Sequence, residues 1–162
     1  MSQLLEQHKL TDLSKIQLSK QYRIGILATE WNATIVTELI NGAQTILSAF
    51  KNVSHDLFYV PGSVELVNAT YQLVTTQKYD AIIDFGVVIR GDTPHFDYVC
   101  DAVTQGLTQL NASQDTPIIF GVLTVNTIEQ AIERIGGTHG HKGEEAAITA
   151  LKMIAFKEKI NQ

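Results

Sequence analysis

The sequence predicts an α/β protein, a three-layer α/β/α sandwich around a parallel sheet of four strands. From residue 22 onward, β-rich segments alternate with segments whose apolar residues recur at helical spacing. The strand-like segments are nearly continuous apolar runs, which is typical of parallel strands that are buried on both faces. A chain of 162 residues, 44% hydrophobic and 18% charged, also has the size and apolar content of one globular domain.

Two strand–helix units are predicted in the first half of the chain. The strands are Tyr22 to Thr29 and Val53 to Val60, and each is followed by apolar residues at helical spacing. In the first helix these are Ile35, Leu39, Ala43, Ile46, Leu47 and Phe50, and in the second they are Val64, Val67, Tyr71 and Val74. Pro61 is expected to open the second helix, because the first helical position needs no backbone N–H.

Two further strands and three helices are predicted in the second half. The strands are Ala81 to Ile89 and Ile118 to Thr124, and the helix between them carries Phe96, Val99, Val103, Leu107 and Leu110. Two closing helices, Ile128 to Ile135 and Glu144 to Phe156, are separated by the glycine-rich stretch 136–143. Right-handed crossovers between parallel strands then make the fold doubly wound and flavodoxin-like.

Residues 1–20 are predicted to be an N-terminal extension, and residues 21–162 a single α/β domain. The extension is polar, lacks Gly and Pro, and shows only weak periodicity, so we expect it to be loose or to dock on a partner. It has no basic region followed by an apolar core, and no apolar stretch of the chain is long enough to span a bilayer. The sequence therefore predicts a cytoplasmic protein that does not enter membranes.

Charge and cysteine content argue against several classes of protein. The net charge of −5 argues against a nucleic-acid binder, whose affinity comes mostly from basic residues. Cys100 is the only cysteine, so an intramolecular disulfide and a Cys-rich zinc site are excluded, and we expect a buried thiol. His139 and His141 lack an accompanying H-E-x-x-H, and no G-x-G-x-x-G follows a strand. Neither a metal nor a dinucleotide cofactor is therefore predicted.

The loop after the third strand carries the most chemistry, since ligands of open parallel sheets bind outside the carboxyl ends of the strands. Thr93 and Pro94 are expected to be the N-cap and first residue of the next helix, which places His95 in its first turn. The helix dipole there attracts anions and disfavours imidazolium. His95 is therefore either a neutral general base or a partly exposed histidine bonded near a cap. Asp92 is an awkward neighbour for an anion unless its carboxylate points to solvent.

Other residues near these strand ends each have two interpretations. Trp31 could stack on a heteroaromatic ring or cover the sheet edge. Glu65, in the first turn of its helix, could accept hydrogen bonds from ligand hydroxyls or only complement the helix dipole. Arg134 could clamp a phosphate and Lys142 could supply a point charge. These two residues and Glu145 could equally be ordinary solvated charges.

Five segments of the chain, in order and at family spacing, resemble the lumazine synthase (6,7-dimethyl-8-ribityllumazine synthase) family. They are residues 25–32 (GILATEWN), 60–65 (VPGSVE), 86–99 (GVVIRGDTPHFDYV), 120–124 (FGVLT) and 129–134 (EQAIER) leading to Lys142 and Gly143. The similarity runs from about Arg23 to Ala155, which is most of the chain.

The resemblance implies condensation of 5-amino-6-(D-ribitylamino)uracil with 3,4-dihydroxy-2-butanone 4-phosphate to the lumazine, phosphate and water, a step of riboflavin biosynthesis. The implied route is a Schiff base, phosphate elimination and ring closure, without a metal or redox cofactor. The resemblance also implies a homo-oligomer, a pentamer or a 60-subunit icosahedral shell, with the active site between adjacent subunits. The interval from Arg134 to Lys142 has no insertion relative to shell-forming relatives, which favours the shell, and riboflavin synthase is an implied guest inside it.

The resemblance further implies roles for individual residues at the matching positions. His95 is the implied proton-transfer group, Asp92 and Thr93 lie in the loop whose amides bind the substrate phosphate, and Arg134 is its guanidinium clamp. Phe120 is implied to reach the pocket from an adjacent subunit. The residues implied to hold the pyrimidine and the ribityl chain are Trp31, Ser63, Val64, Glu65, Val87, Val88, Ile89, Phe120 and Lys142, with Asn32 and Glu145 in support.

The chain departs from the family pattern at two positions, and other functions stay open. Val64 stands where many relatives carry Phe, and His141 replaces a frequent Asn before Lys-Gly. A riboflavin-binding or storage module is the alternative, because family pockets with Trp at the Trp31 position can hold riboflavin. A purely structural shell is a third interpretation. Intact His95 and Arg134 favour the enzyme, since a mere binder needs neither.

Overall fold

The computed structural model describes residues 12–161, and the central element is a parallel sheet of four strands. Its strands are β1 (Tyr22–Thr29), β2 (Val53–Val60), β3 (Ala81–Ile89) and β4 (Ile118–Val125). They pair in the order β2-β1-β3-β4, all parallel, so β2 and β4 are the edges. Parallel neighbours need crossover connections, which the intervening helices provide.

Helices cover both faces of this sheet. They are α1 (Ala33–Leu47), α2 (Ser63–Thr75), α3 (His95–Ser113), α4 (Ile128–Ile132) and α5 (Lys142–Ile160). α1 and α5 pack together over one face, and α2 and α3 pack together over the other. Each face has its own buried apolar cluster, centred on Leu39 and Leu151 on one side and on Leu66 and Leu107 on the other. The three-layer, doubly wound α/β prediction is therefore confirmed.

The prediction of a helix from Ile128 to Ile135 is wrong in its length. α4 ends at Ile132, and residues 135–141 form a small antiparallel hairpin of β5 (Ile135–Gly137) and β6 (Gly140–His141). Gly136 and Gly140 have φ values of 111° and 76°, a left-handed region that glycine enters without a Cβ penalty. The two glycines therefore turn the chain back where apolar periodicity alone suggested more helix.

Three smaller expectations also change. Pro61 does not open α2, because the helix begins at Ser63 with Gly62 as its N-cap. α3 is bounded by Pro94 as its N-cap, one residue later than expected, although the Thr93 hydroxyl oxygen still accepts a 3.4 Å hydrogen bond from the His95 N–H. Cys100 is half-buried rather than buried, and this partial burial raises the pKa of its thiol.

The described part of the predicted extension, residues 12–20, packs against its own chain. It begins with a short 3₁₀ helix, Leu13–Lys15, and Ile16 is 8% exposed within the core on the α1–α5 side. The Asn52 side-chain amide donates to the carbonyls of Leu18 and Lys20 at 3.0 and 2.7 Å. Residues 1–11 lie outside the described residues. None of the helices within residues 12–161 has both the length and the apolar character needed to span a membrane.

Candidate active site

The turn that follows β1 is joined to the carboxyl end of β3 by a hydrogen bond from Asn32. Asn32, the N-cap of α1, has the left-handed backbone angles φ 57° and ψ 40°, which Asn tolerates better than most residues. This conformation directs its side-chain amide to donate a 3.0 Å hydrogen bond to the carbonyl of Val87. The Thr29 hydroxyl donates to the carbonyl of Trp31 at 3.3 Å. The turn is therefore held, and Trp31 itself is 73% exposed.

Two glycines allow α2 to begin close to this turn. A Cβ at Gly62 would lie 2.9 Å from Glu65 Oε2 and 3.9 Å from Trp31 Cδ1, so the carboxylate and the indole border the same gap. A Cβ at Gly86 would lie 2.9 Å from Ser63 Oγ, so this hydroxyl lies directly on β3. The absence of two Cβ atoms thus brings Trp31, Ser63 and Glu65 together with the end of β3.

The end of β3 provides an apolar floor beside these polar groups. Val87 is 4% exposed, Val88 and Ile89 are half-buried, and Val64 at the start of α2 is 43% exposed. The backbone carbonyl of Val87 is already engaged by Asn32, so the strand end is fixed in place. A mostly apolar surface with a few oriented polar groups is typical of a small-molecule site.

The loop from β3 to α3 is anchored by an arginine that the sequence reasoning missed. Arg90 donates to both carboxylate oxygens of Asp97 at 2.8 and 3.3 Å, and its Nε donates to Asn126 Oδ1 at 3.1 Å. Its guanidinium also lies 4.2 Å from the centroid of the Phe96 ring. The available sequence signal was Asp97, an acidic residue in the first turn of α3 that could pair with Arg90. These contacts tie the start of the loop to α3 and to the end of β4.

The residues that follow Arg90 are all open to solvent. Asp92, Thr93 and His95 are exposed, and a Cβ added at Gly91 would meet no atom within 4 Å. His95 is the first residue of α3, a helix of 19 residues, so free backbone N–H groups and the positive end of the helix dipole lie beside it. The loop can therefore receive an anion next to a histidine side chain.

A second group of predicted site residues lies elsewhere, at the edge strand β4. Phe120, Lys142 and Glu145 line a groove of about 520 Å³ together with Thr149 and Met153. Lys142 Nζ forms a 2.7 Å ion pair with Glu145 Oε2, and the Phe120 ring is 44% exposed. The residues lining this groove do not include those at the ends of β1 and β3. A single chain thus places its candidate site residues in two separate groups.

Arg134 is linked to the second group through the backbone. Its carbonyl accepts a 2.8 Å hydrogen bond from the N–H of Lys142. The guanidinium donates through Nη1 to the carbonyl of Gln130 at 2.7 Å, which leaves its other N–H groups for a further acceptor. Among residues 12–161, no cluster of three or more His, Cys, Asp or Glu side chains could hold a metal ion.

Comparison with known proteins identifies the family. The sequence model of the 6,7-dimethyl-8-ribityllumazine synthase family matches residues 21–158. Proteins of that name are similar over nearly their whole length in Phocaeicola vulgatus (45% identity, 96% of this chain and 95% of the relative) and Porphyromonas gingivalis (50%, 93% and 96%). The protein of that name from Bacteroides fragilis is 49% identical over 86% of this chain and 99% of its own length. The chain belongs to the 6,7-dimethyl-8-ribityllumazine synthase family.

Proposed function

We propose that this chain condenses 5-amino-6-(D-ribitylamino)uracil with 3,4-dihydroxy-2-butanone 4-phosphate to give 6,7-dimethyl-8-ribityllumazine, phosphate and water. The observation that carries the proposal is the convergence, at one end of the sheet, of an exposed indole (Trp31), a carboxylate (Glu65) and the helix that begins with His95. Each of these groups suits one part of the two substrates.

The pyrimidine and ribityl chain are assigned to the end of the sheet near β1. The exposed face of Trp31 is free to stack on a flat heteroaromatic ring, a contact of about 1 kcal/mol beyond burial. Ser63 and Glu65 can bond ribityl hydroxyls, because an alcohol both donates and accepts while a carboxylate only accepts. The apolar floor of Val87, Val88 and Ile89 excludes water beneath the ring. Val64 supports one side and Asn32 fixes the turn.

The phosphate is assigned to the loop that opens α3. Backbone N–H groups of Asp92 and Thr93, together with the positive end of the α3 dipole, suit a phosphate. Arg134 supplies a planar guanidinium, which matches phosphate oxygens in two-point contact. Arg90 is less suited to this role, because three of its five N–H groups already donate to Asp97 and Asn126. The carboxylate of Asp92 is exposed, as a phosphate at this loop requires.

His95 is assigned to proton transfer. An aryl amine must attack a ketone, a Schiff base must form, phosphate must leave and the second amine must close the ring, so protons move at each stage. Positioning two substrates together can supply roughly 7–11 kcal/mol of the barrier, whereas one acid–base group contributes about 10²–10⁴-fold. His95 is therefore an accelerating group on top of substrate positioning.

We further propose that the second group of residues completes the site of a neighbouring copy. Phe120 is exposed on an edge strand, and its groove holds Lys142 and Glu145, as would be expected of a surface that faces another subunit's substrate. Residues 21–162 form the single domain of this assembly, a pentamer or an icosahedral shell, with riboflavin synthase as a candidate guest. Cytoplasmic localisation stays a prediction. Light scattering separates pentamer from shell.

The decisive experiment supplies both substrates and follows the absorbance and fluorescence of the lumazine product. Turnover with release of inorganic phosphate supports the proposal. Asp101→Asn, which changes an exposed carboxylate of α3 away from the loop, should have the same activity as the parent.

The exposure of Trp31 also favours a second candidate, a flavin-binding or storage module. Binding of riboflavin without turnover would favour that module and overturn the enzyme.

A further inference from the structure

His141 has no part in the proposed chemistry, yet it occupies a central position next to the second group of site residues. It is the last residue of β6 and the N-cap of α5, and its Nδ1 accepts a 3.4 Å hydrogen bond from the N–H of Glu144. A side-chain acceptor at this position satisfies one of the free donors of the first helical turn. His141 therefore connects the hairpin to the start of α5.

The ring of His141 fills a notch in α1. A Cβ added at Gly42 would overlap three ring atoms, Cε1, Nδ1 and Nε2, and even Nε2 would lie only 2.8 Å away. Gly42 is buried inside α1 and has no positive φ, so its backbone does not require glycine. Glycine inside a helix costs about 1 kcal/mol relative to alanine. The space it leaves is what allows the imidazole to lie against α1.

A second close approach lies beside the first one. A Cβ added at Gly143 would lie 2.8 Å from the carbonyl carbon of Leu39, so the first turn of α5 rests directly on the α1 backbone. Lys142 is held between the two contacts made by His141 and Gly143. Since the N–H of Lys142 donates to the carbonyl of Arg134, both basic residues follow the position of this turn.

We infer that His141, lodged in the notch at Gly42, is a positioning residue that holds Arg134 where the phosphorylated substrate needs it and keeps Lys142 in place beside it. This inference rests on the proposed roles of Lys142 and Arg134. It assigns His141 no contact with substrate. The physical basis is that a rigid packing contact on α1 fixes the backbone from which two long, flexible side chains extend, so less of their freedom is lost when substrate binds.

The test first adds a methyl group at Gly42, which displaces the His141 ring, and then removes that ring by a second substitution. Gly42→Ala should raise KM for 3,4-dihydroxy-2-butanone 4-phosphate about tenfold or more while kcat changes about twofold at most, because binding and not chemistry is disturbed. His141→Asn alone keeps a capping oxygen but leaves the notch empty, so its KM should rise less. In the double variant the new methyl group fills the notch and Asn caps α5, and KM should return to within about threefold of the parent.

A matched control separates this effect from general overpacking. A Cβ at Gly106 of α3 would lie 2.7 Å from the side chain of Val67, on the other side of the sheet. Adding His141→Asn to Gly106→Ala should therefore not lower the KM for the phosphorylated substrate. If Gly42→Ala does not fold, His141→Ala tests the same inference without a clash, and its KM should rise about tenfold.

The outcomes separate the inference from the proposed function. The role of His141 is overturned if the double variant Gly42→Ala/His141→Asn has a KM as high as that of Gly42→Ala alone. It is also overturned if His141→Ala leaves KM unchanged. Rescue in the double variant together with an unrescued Gly106→Ala supports it. Absence of turnover in the parent protein overturns the proposed function itself, which the same assay measures first.

Discussion

The carboxyl group of Asp84 is the clearest place to test the energetics of this fold. Asp84 lies in the middle of β3, is 0% exposed, and accepts a 2.8 Å hydrogen bond on Oδ1 from the hydroxyl of Thr70 on α2. Its Oδ2 has no partner among the described residues. Burial raises the pKa of Asp84 from 3.8 to about 8, and the Thr70 bond offsets only part of this rise. We therefore expect the native protein to hold a neutral carboxylic acid in its core at neutral pH.

The pH dependence of stability follows from this raised pKa. Below pH 3.8 the group is protonated in both the folded and the unfolded chain, and its effect on folding is nil. As pH rises from there to about 8, only the unfolded chain loses the proton, so native stability falls by about 1.4 kcal/mol per pH unit. Above about 8 the native group ionises as well and the loss levels off.

Asp84→Asn removes this loss, because Asn keeps an acceptor for Thr70 and cannot ionise. We expect the stability of the variant relative to the parent to grow by about 3 kcal/mol between pH 5 and pH 7. For a chain of this length that is about 6–12 °C in Tm. Any change in stability caused by the amide hydrogens of Asn is the same at every pH, so it does not change this pH dependence.

The assay is thermal unfolding of parent and variant at pH 5, 6, 7 and 8. Asp101→Asn is the control, because it makes the same substitution at an exposed position on α3 and should show no such trend. A difference in Tm between Asp84→Asn and the parent that stays constant from pH 5 to pH 8 would refute the reasoning, since it would mean that Asp84 is ionised in the native protein.

Three further predictions concern the proposed site. His95→Ala should be slowed about 10²–10⁴-fold yet remain measurably active in single-turnover kinetics, because positioning survives; complete loss in a folded variant would contradict this. Arg134→Ala should chiefly raise KM for the phosphorylated substrate, with Arg134→Lys intermediate as a point charge, and an equal KM in all three proteins would remove Arg134 from the phosphate role. Trp31→Ala should raise KM for the pyrimidine roughly fivefold while Trp31→Phe stays near the parent, and equal values for both would exclude stacking.

The strands were predictable because their signal is local. Each is a nearly continuous apolar run, and the observed β1, β2 and β3 have the predicted bounds, while β4 extends one residue further to Val125. The helices α1, α2 and α3 were likewise visible as apolar periodicity. The errors lie at Pro61, at Ile135 and in the glycine-rich stretch, where turn geometry overrides periodicity.

The candidate site was predictable in its membership more than in its arrangement. The rule that ligands of parallel sheets bind at the carboxyl ends of strands led directly to Trp31, Glu65 and His95. Nothing local indicated that Arg90 is engaged by Asp97, or that Phe120 belongs to a separate groove at an edge strand. Those facts depend on which strand is outermost, and strand order is a property of the whole sheet.

The sequence by itself determined the α/β class, the strand positions and the residue types available for chemistry, since periodicity and turn propensity act over a few neighbouring residues. Only the tertiary structure decided how close distant segments come. The His141 ring lies in the notch at Gly42, and the Asp84 carboxyl group lies in an apolar layer beside Thr70. Both depend on dense packing between elements far apart in the chain, where one methyl group or one charge changes the free energy by more than any local preference.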